Sequence, residues 1–325
     1  MAVRRCDRVE KGVEYGVEKG SVLVPTSPLG PDLVIAGAAR SGTSSLAAQL
    51  SAHPDVDPGK VKESNYFSRE MHRGPAWYEG LYLGRRNGLL RLDASTSYTS
   101  ALYPGSLARL AEAAPNARVI YVVRHPTQRA VSHYLYRHHY FQLEKATDFG
   151  AALRSTSYYV DGSDYARWLS ELTDLFPPEQ LIVVPFEVVA GEPQAVTAQI
   201  CRQVGLAAPA DAQAQGTRHR NDVVEYRNAA ARGAAHLLRR SSAYPRLRSA
   251  LGAGRMRKAR GLVTRRARLP SLDESLATCD PEQLAALAHL DRRAGVAVRD
   301  YLSGQDQRLG LAWTERSFAS APPPE

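Results

Sequence analysis

The stretch Leu33-Val34-Ile35-Ala36-Gly37-Ala38-Ala39-Arg40-Ser41-Gly42-Thr43-Ser44-Ser45-Leu46 decides the fold of this chain. A short apolar run leads into a loop that Gly37 opens and Gly42 closes, and a helical pattern begins directly after it. Strand, glycine loop and helix in this order are typical of a phosphate-binding loop, in which backbone N–H groups and the first helical turn hold an anion. We therefore predict an anion site built from the backbone of this loop and the first turn of the helix.

The residue after Gly42 distinguishes this loop from that of nucleoside triphosphatases. Their pattern, G-x-x-x-x-G-K-[ST], places a lysine there to reach the β- and γ-phosphates, and a hydroxyl next to it to hold Mg²⁺. This chain has Thr43 in place of the lysine. The loop is therefore predicted to bind a shorter anion, without a metal.

The composition is that of an ordinary globular protein. Of the 325 residues, 44% are hydrophobic and 23% are charged, and no apolar run approaches the roughly 18 residues of a membrane span. Residues 1–20 contain no continuous apolar segment of the kind that secretory signals have. Three widely spaced cysteines, Cys6, Cys201 and Cys279, indicate neither a disulfide framework nor a zinc site. These observations predict a cytoplasmic protein without a transmembrane segment.

The positive charge is concentrated in one segment. The chain carries a net charge of +9, and residues 226–272 contain 13 Lys and Arg but no Asp or Glu, so the rest of the chain is net negative. A local field of this kind favours an anionic ligand, an acidic acceptor or a lipid surface, and the last would place the protein at the periphery of the inner membrane. A solvated basic face without a partner is the alternative, and nucleic acid is not expected.

Apolar runs alternate with helical patterns along the central part of the chain. Strands are predicted at 33–37, 89–93, 118–123 and 181–185, and helices at about 43–52, 105–114, 126–138, 164–176 and 192–204. This alternation predicts an α/β fold in which helices cover both faces of a parallel sheet. Asp280 and Pro281 mark the start of a further helix at 280–302. We expect one domain over residues 31–316, with tails at 1–30 and 317–325.

The segment after the predicted strand 118–123 supplies a second candidate anion site. In a nucleoside triphosphatase this strand would end in an acidic residue for Mg²⁺, but here it ends at Arg124. Ser132 follows eight residues later, about two helical turns away, and can lie on the same side as Arg124 and Arg129. Because arginine forks onto phosphate oxygens, Arg124 and Ser132 are predicted to form a phosphate clamp. A surface arginine and a serine that faces the helix are the alternative.

Taken together, the two sites resemble those of the sulfotransferases that use 3′-phosphoadenosine 5′-phosphosulfate (PAPS) as donor. In that family a P-loop-like segment follows the first strand, and an arginine followed eight residues later by a serine comes after a central strand. The resemblance spans about residues 32–189 and is greatest to the carbohydrate branch, of heparan and chondroitin type, and its bacterial counterparts. Further matching segments are His53-Pro54-Asp55-Val56, Lys62-Glu63-Ser64-Asn65-Tyr66-Phe67, Asp93-Ala94-Ser95-Thr96-Ser97-Tyr98 and the run from Tyr165 through Phe176-Pro177 to Leu181.

The resemblance implies a P-loop-like three-layer fold and a reaction with PAPS as co-substrate and no metal. The 3′-phosphate would lie on Arg124 and Ser132, and Arg265 and Arg266 would contribute to a lid over the nucleotide. The 5′-phosphosulfate would lie on the loop residues Gly37, Arg40, Ser41, Gly42, Thr43 and Ser44.

The resemblance also implies roles in the reaction. Arg40 would stabilise negative charge on the leaving oxygen, and Glu63, beside Lys62, would be the base. The acceptor would be a small molecule, a glycan or a lipid that offers a hydroxyl or an amine. Rival bases are Asp93, which ends a predicted strand, and His125 and His133, which flank the predicted 3′-phosphate site.

Several aromatic side chains are predicted to pack in the core rather than to stack on a base. They are Tyr134, Tyr136, Tyr140, Phe141, Trp77, Trp168 and Trp313.

Two other functions stay open at the level of sequence. One is a nucleoside or nucleotide kinase-like P-loop enzyme, against which Thr43 and Arg124 argue because they replace the lysine and the acidic metal ligand. The other is a catalytically inactive relative that binds an anion or a membrane through residues 226–272.

Overall fold

The computed structural model describes residues 30–83, 88–208 and 268–311, together with two short strands and residues 230, 233–234, 237–238 and 262 between them. The predicted tails, apart from Gly30, and most of the basic segment 226–272 lie outside the described residues.

Five parallel strands form the central sheet, in the order β2-β3-β1-β4-β5. The prediction of a parallel sheet is confirmed, and three of the four predicted strands have their predicted bounds. The prediction misses β2, because a strand of two residues carries no readable periodicity. The strands are β1 (Leu33–Gly37), β2 (Val56–Asp57), β3 (Leu90–Asp93), β4 (Arg118–Val123) and β5 (Leu181–Pro185).

Eleven α-helices lie within the described residues. They are α1 (Thr43–Leu50), α2 (Pro75–Glu79), α3 (Ser106–Ala113), α4 (Pro126–Leu135), α5 (Phe149–Ser155), α6 (Tyr158–Asp161), α7 (Tyr165–Leu175), α8 (Phe186–Gly191), α9 (Pro193–Gln203), α10 (Leu272–Leu276) and α11 (Pro281–Leu309). The predicted helices at 43–52, 105–114, 164–176 and 192–204 are confirmed within two residues at each end. The helix predicted at 126–138 ends at Leu135 and continues as a π-helical turn, Tyr136–Phe141.

The C-terminal helix α11 is longer than predicted. It starts at Pro281 behind the N-cap Asp280, as expected, but it ends at Leu309 rather than at residue 302, with Gly310 in the left-handed conformation after it. Gln305 explains the extension. Its buried amide accepts from the backbone N of Val183 at 2.6 Å and donates to the carbonyl of the same residue at 2.9 Å. These bonds tie the last turns to β5 and outweigh the poor helix propensity of Gly304.

Apolar side chains cover both faces of the sheet. On one face, Val34 and Tyr121 belong to a buried cluster with residues of α3, α7 and α11. On the other face, Ile35 and Val122 belong to a second cluster with residues of α1 and α9. Because successive strand residues point to opposite faces, near-continuous apolar strands are what such a three-layer P-loop-like arrangement requires.

Two further strands pair outside this sheet. They are β6 (Val224–Tyr226) and β7 (Thr264–Arg266), which run antiparallel, and β6 lies beside the π-helical turn Tyr136–Phe141. Across the part of the chain that the structure describes, no helix is both long and apolar enough to cross a membrane.

Candidate active site

A cleft with a volume of about 1750 Å³ opens at the carboxyl ends of the strands, the edge at which open α/β sheets bind ligands. Six predicted site residues line it, and they come from the loops after β1, β2 and β4: Arg40, Gly42, Thr43, Ser44, Glu63 and Arg124. Gly37, Ser41, Lys62 and Ser132 lie next to lining residues without lining the cleft themselves. The side chains of Arg265 and Arg266 lie outside the described residues.

The two glycines of the loop after β1 are both required by close approaches. A Cβ at Gly37 would lie 2.0 Å from the hydroxyl oxygen of Thr99. Gly42 precedes α1 with φ 83°, and a Cβ there would lie 3.0 Å from the ring of Phe186. Any other residue at these positions would therefore open or distort the loop.

Two guanidinium groups donate hydrogen bonds to the backbone of this loop. Arg124 donates from Nη1 to the carbonyl of Arg40, and Arg129 donates from Nη1 to the carbonyl of Ala39, both at 3.2 Å. The amide of Ser41 is engaged inside the loop, where it donates to the carbonyl of Ala38 at 3.2 Å. The amides of Thr43 and Ser44 belong to the first turn of α1, which has no intrahelical acceptors for them. These two amides can therefore donate to a ligand in the cleft.

Arg40 joins the loop to α4 and its continuation. Its Nε donates to the hydroxyl of Ser132 at 3.3 Å, and its guanidinium lies 4.0 Å from the ring centroid of Tyr136. Its φ of 72° is in the left-handed region, which a side chain other than glycine rarely adopts. Burial lowers the pKa of Arg40, while Tyr136 raises it and Arg124 lowers it further. The structure thus places Arg40 in contact with both Ser132 and Arg124, and the contact with Ser132 is made by Arg40 rather than by Arg124.

Arg129 is a buried arginine that joins several elements around the cleft, and it is not among the predicted site residues. It is 1% exposed, and it donates from Nε to the hydroxyl of Ser163 at 2.5 Å and from Nη2 to the carbonyl of Tyr159. With the bond to Ala39, these contacts connect the loop after β1 to α4 and α6. Because these partners are 30 or more residues away in the chain, the sequence around Arg129 does not indicate its role.

His133 is a neutral donor rather than a base. Its Nδ1 lies 3.1 Å from Nη1 of Arg129. Because arginine has no acceptor atom, Nδ1 must accept, and the ring proton is on Nε2. Burial, and then the charges of Arg129, Arg137 and Arg40, lower the pKa of His133 well below its usual 6.5. The imidazole therefore stays uncharged at neutral pH and its basic nitrogen is occupied.

Glu63 lines the cleft from the segment after β2. Its Oε1 lies 2.7 Å from Nζ of Lys62, and both side chains are more than one third exposed. Asn65 fixes the backbone here, because it donates from its side chain to the carbonyl of Glu63 at 3.1 Å and from its main chain to Ser95 Oγ at 2.9 Å. The Glu63 carboxylate thus projects into the cleft from a fixed segment.

Asp93, the rival base at the end of β3, is part of a buried scaffold. It is 1% exposed and does not line the cleft. Burial raises the pKa of its carboxyl, and the donated hydroxyls oppose that rise. Its carboxylate accepts from Ser64 Oγ at 2.6 Å, Ser95 Oγ at 2.5 Å, Tyr98 Oη at 2.7 Å and Tyr78 Oη at 3.1 Å. Because Ser64 follows Glu63 directly, this network anchors the segment that carries the carboxylate of the cleft.

Replacing Asp93 by alanine should destabilise the fold strongly. The substitution leaves four buried hydroxyls without their acceptor, and we expect a loss of about 3 kcal/mol in the free energy of unfolding, measured by urea denaturation. Asp174→Ala is the matched control, because Asp174 is exposed on α7. Equal effects of the two substitutions would contradict the role of Asp93 as an anchor.

His125 faces α11 instead of the cleft. It is the N-cap residue of α4, and its Nδ1 lies 3.7 Å from a carboxylate oxygen of Asp291. The Asp291 carboxylate accepts from the amide and the hydroxyl of Thr127. His125 therefore lies where α4 packs against α11, and it does not line the cleft.

The predicted packing of the aromatic residues is partly wrong. Tyr134 and Trp168 are buried, as predicted, and Trp77 packs against the core. Tyr140 and Phe141, by contrast, are 38% and 51% exposed. The reason is the π-helical turn that replaces the predicted helix after Leu135, because its wider turn rotates these rings out of the buried face. Trp313 lies outside the described residues.

Comparisons with known proteins agree on one family. The family model described as "Sulfotransferase family" matches residues 85–210. Heparan sulfate glucosamine 3-O-sulfotransferase 3B1 of Mus musculus is 28% identical over 188 residues, which cover 54% of this chain and 46% of that protein. Heparan sulfate glucosamine 3-O-sulfotransferase 6 of Mus musculus is 34% identical over 104 residues, 32% of this chain and 30% of that protein. The chain thus spans less than half the length of these curated relatives.

Among solved structures, a sulfotransferase from Alicyclobacillus acidocaldarius is similar to this chain, with 29% sequence identity and a TM-score of 0.48 over 55% of this chain and 83% of that chain.

Proposed function

We propose that this chain, whose residues 85–210 match the sulfotransferase family model, transfers a sulfuryl group from PAPS to a hydroxyl or amine of a glycan, lipid or secondary-metabolite acceptor. The observation that carries the proposal is the charge of the cleft. Arg40, Arg124 and Arg129 converge on one glycine loop, and within the described residues no carboxylate lies at ion-pair distance from any of them.

Buried cations without counter-ions favour an anionic ligand, because their desolvation is otherwise uncompensated. Burial lowers the pKa of the Arg124 guanidinium, and its Nε has no partner among the described residues. PAPS carries anionic groups at two separate positions. The amides of Thr43 and Ser44 suit the 5′-phosphosulfate, and Arg124 with Ser132 suits the 3′-phosphate.

The residues of the cleft can supply what the transfer needs. The acceptor oxygen or nitrogen forms a bond to sulfur, the bond from sulfur to the bridging oxygen breaks, and adenosine 3′,5′-bisphosphate leaves. Arg40 stabilises the charge that develops on the bridging oxygen, without giving up a proton, because guanidinium stays charged. Glu63 takes the proton of the acceptor. Lys62 contacts Oε1 of Glu63, which leaves Oε2 for that proton.

The lid and the basic segment complete the proposal. Arg265 and Arg266 belong to β7, which pairs with β6 next to the turn Tyr136–Phe141, so their backbone runs close to the wall of the cleft. This neighbourhood supports their assignment to a nucleotide lid. The charge of residues 226–272 supports contact with an anionic surface.

Binding of adenosine 3′,5′-bisphosphate tests the donor site. We expect calorimetry to detect binding to the wild type, and Arg124→Ala to weaken it at least about tenfold, because a charged hydrogen-bond donor to phosphate is lost. Arg154→Ala is the control, since that half-exposed arginine pairs with Asp280 outside the cleft. Failure of the wild type to bind would end the proposal, whereas unchanged binding by Arg124→Ala would end only the 3′-phosphate assignment.

A further inference from the structure

Beyond the anion site, the cleft has an apolar rim. Leu102, Phe141 and Leu143 line the cleft and are 56%, 51% and 61% exposed. Single exposed apolar side chains are common on protein surfaces, but three that line one cleft give it the apolar surface that ligand-binding clefts use. We call these three residues the apolar rim.

Contacts through neighbouring residues connect the apolar rim to the two proposed reacting groups. Leu102 comes shortly after the turn Thr96–Thr99, whose Ser97 hydroxyl donates to the Asn65 side chain at 2.7 Å, so it is tied to the segment of Glu63. Phe141 packs edge-on against Tyr136, with ring centroids 4.8 Å apart, and Tyr136 covers the guanidinium of Arg40. A molecule seated on the rim would therefore reach the proposed base and the leaving oxygen.

The charges that line the cleft beside the rim are of both signs. Arg69 forms an ion pair with Glu70 at 3.4 Å, and the guanidinium of Arg137 lies 4.9 Å from the ring centroid of Tyr158. The carboxylate of Glu63 also lines the cleft and would repel an anionic acceptor group close to it. An uncharged apolar group meets no such repulsion and can pack on the rim.

We propose that the acceptor is an alcohol with a hydrophobic group, aryl or alkyl, that packs on the apolar rim while its hydroxyl faces Glu63. This inference rests on the proposed sulfuryl transfer and names the acceptor class. The acceptor oxygen bonds to sulfur as the bond to the bridging oxygen breaks, and the hydroxyl proton goes to Glu63. The product is a sulfate monoester that carries the hydrophobic group.

Three acceptors distinguish the possibilities: 2-naphthol for aryl groups, 1-octanol for alkyl chains and an N-acetylheparosan oligosaccharide for glycans. Release of adenosine 3′,5′-bisphosphate from PAPS and the mass of the product report turnover. We expect turnover of at least one of the two hydrophobic alcohols, with a KM well below that of the oligosaccharide. The variants Leu102→Ser and Phe141→Ser/Leu143→Ser should each raise the KM for that alcohol about tenfold and leave the KM for PAPS unchanged. Leu83→Ser is the control, since Leu83 is 70% exposed but outside the cleft.

Calorimetry separates failure of this inference from failure of the proposed function. Protein that does not bind adenosine 3′,5′-bisphosphate would overturn both. Protein that binds the nucleotide, but neither binds nor sulfates 2-naphthol or 1-octanol, would overturn the acceptor class alone. So would preferred turnover of the oligosaccharide, or rim variants whose KM for the alcohol equals that of Leu83→Ser.

Discussion

Glu63→Gln is expected to lower kcat by about 10²- to 10⁴-fold, the contribution that a positioned general base makes. Glutamine keeps the size and the hydrogen-bonding ability of the side chain but cannot take the proton of the acceptor. The affinity for adenosine 3′,5′-bisphosphate should not change, because Glu63 has no contact with the glycine loop or with Arg124. Single-turnover transfer from PAPS together with calorimetry on the same protein measures both quantities.

Glu70→Gln is the matched control for this substitution. Glu70 lies seven residues further along the same segment, pairs with Arg69 and Arg73, and does not line the cleft. Its kcat should stay at the wild-type level. If Glu63→Gln retained full activity, another group would have to be the base. Asp93 and His133 are poor replacements because both are buried and already hydrogen-bonded to neighbouring side chains.

The sheet could be predicted from sequence because its strands are buried on both faces. Runs such as Arg118–Val123 and Leu181–Pro185 are almost wholly apolar, so their bounds are set by the polar or glycine residues around them. The predicted helix ends and the predicted burial are wrong where contacts between elements, rather than the local pattern, determine the structure. Gln305 extends α11 by bonding to β5, and the π-helical turn after Leu135 breaks the helical period on which the burial of Tyr140 and Phe141 was predicted.

The candidate site could be predicted where its residues come directly after strands in the sequence. Arg40, Arg124 and Ser132 are far apart in sequence, yet parallel strands β1 and β4 are neighbours, so the loops that follow them meet. Arg129 and His133 could not be assigned in this way. Their roles depend on the carbonyls of Ala39 and Tyr159 and on the burial of α4, and none of these is visible in the residues around them.

Arg40 is held in an unfavourable conformation by its surroundings, which favours a role in the reaction. A left-handed φ costs a residue other than glycine about 1–3 kcal/mol and persists only where neighbouring contacts fix it. Here Ser132, Tyr136 and the bond from Arg124 to the Arg40 carbonyl do so. A purely structural position would favour glycine, as at Gly42 two residues later, whereas this one has a guanidinium at the edge of the proposed anion site.

Arg40→Met should therefore lower kcat by about 10²- to 10³-fold, the effect of removing one donor that stabilises charge in the transition state. The free energy of unfolding should change little, since the strained backbone and the packing on Tyr136 are retained. Arg40→Lys should recover part of the rate, because an ammonium supplies the charge without the planar fork. Urea denaturation and single-turnover kinetics on the three proteins separate the alternatives. A loss of stability with kcat unchanged would assign Arg40 to the scaffold, because the charge on the leaving oxygen would then be stabilised by other groups of the cleft.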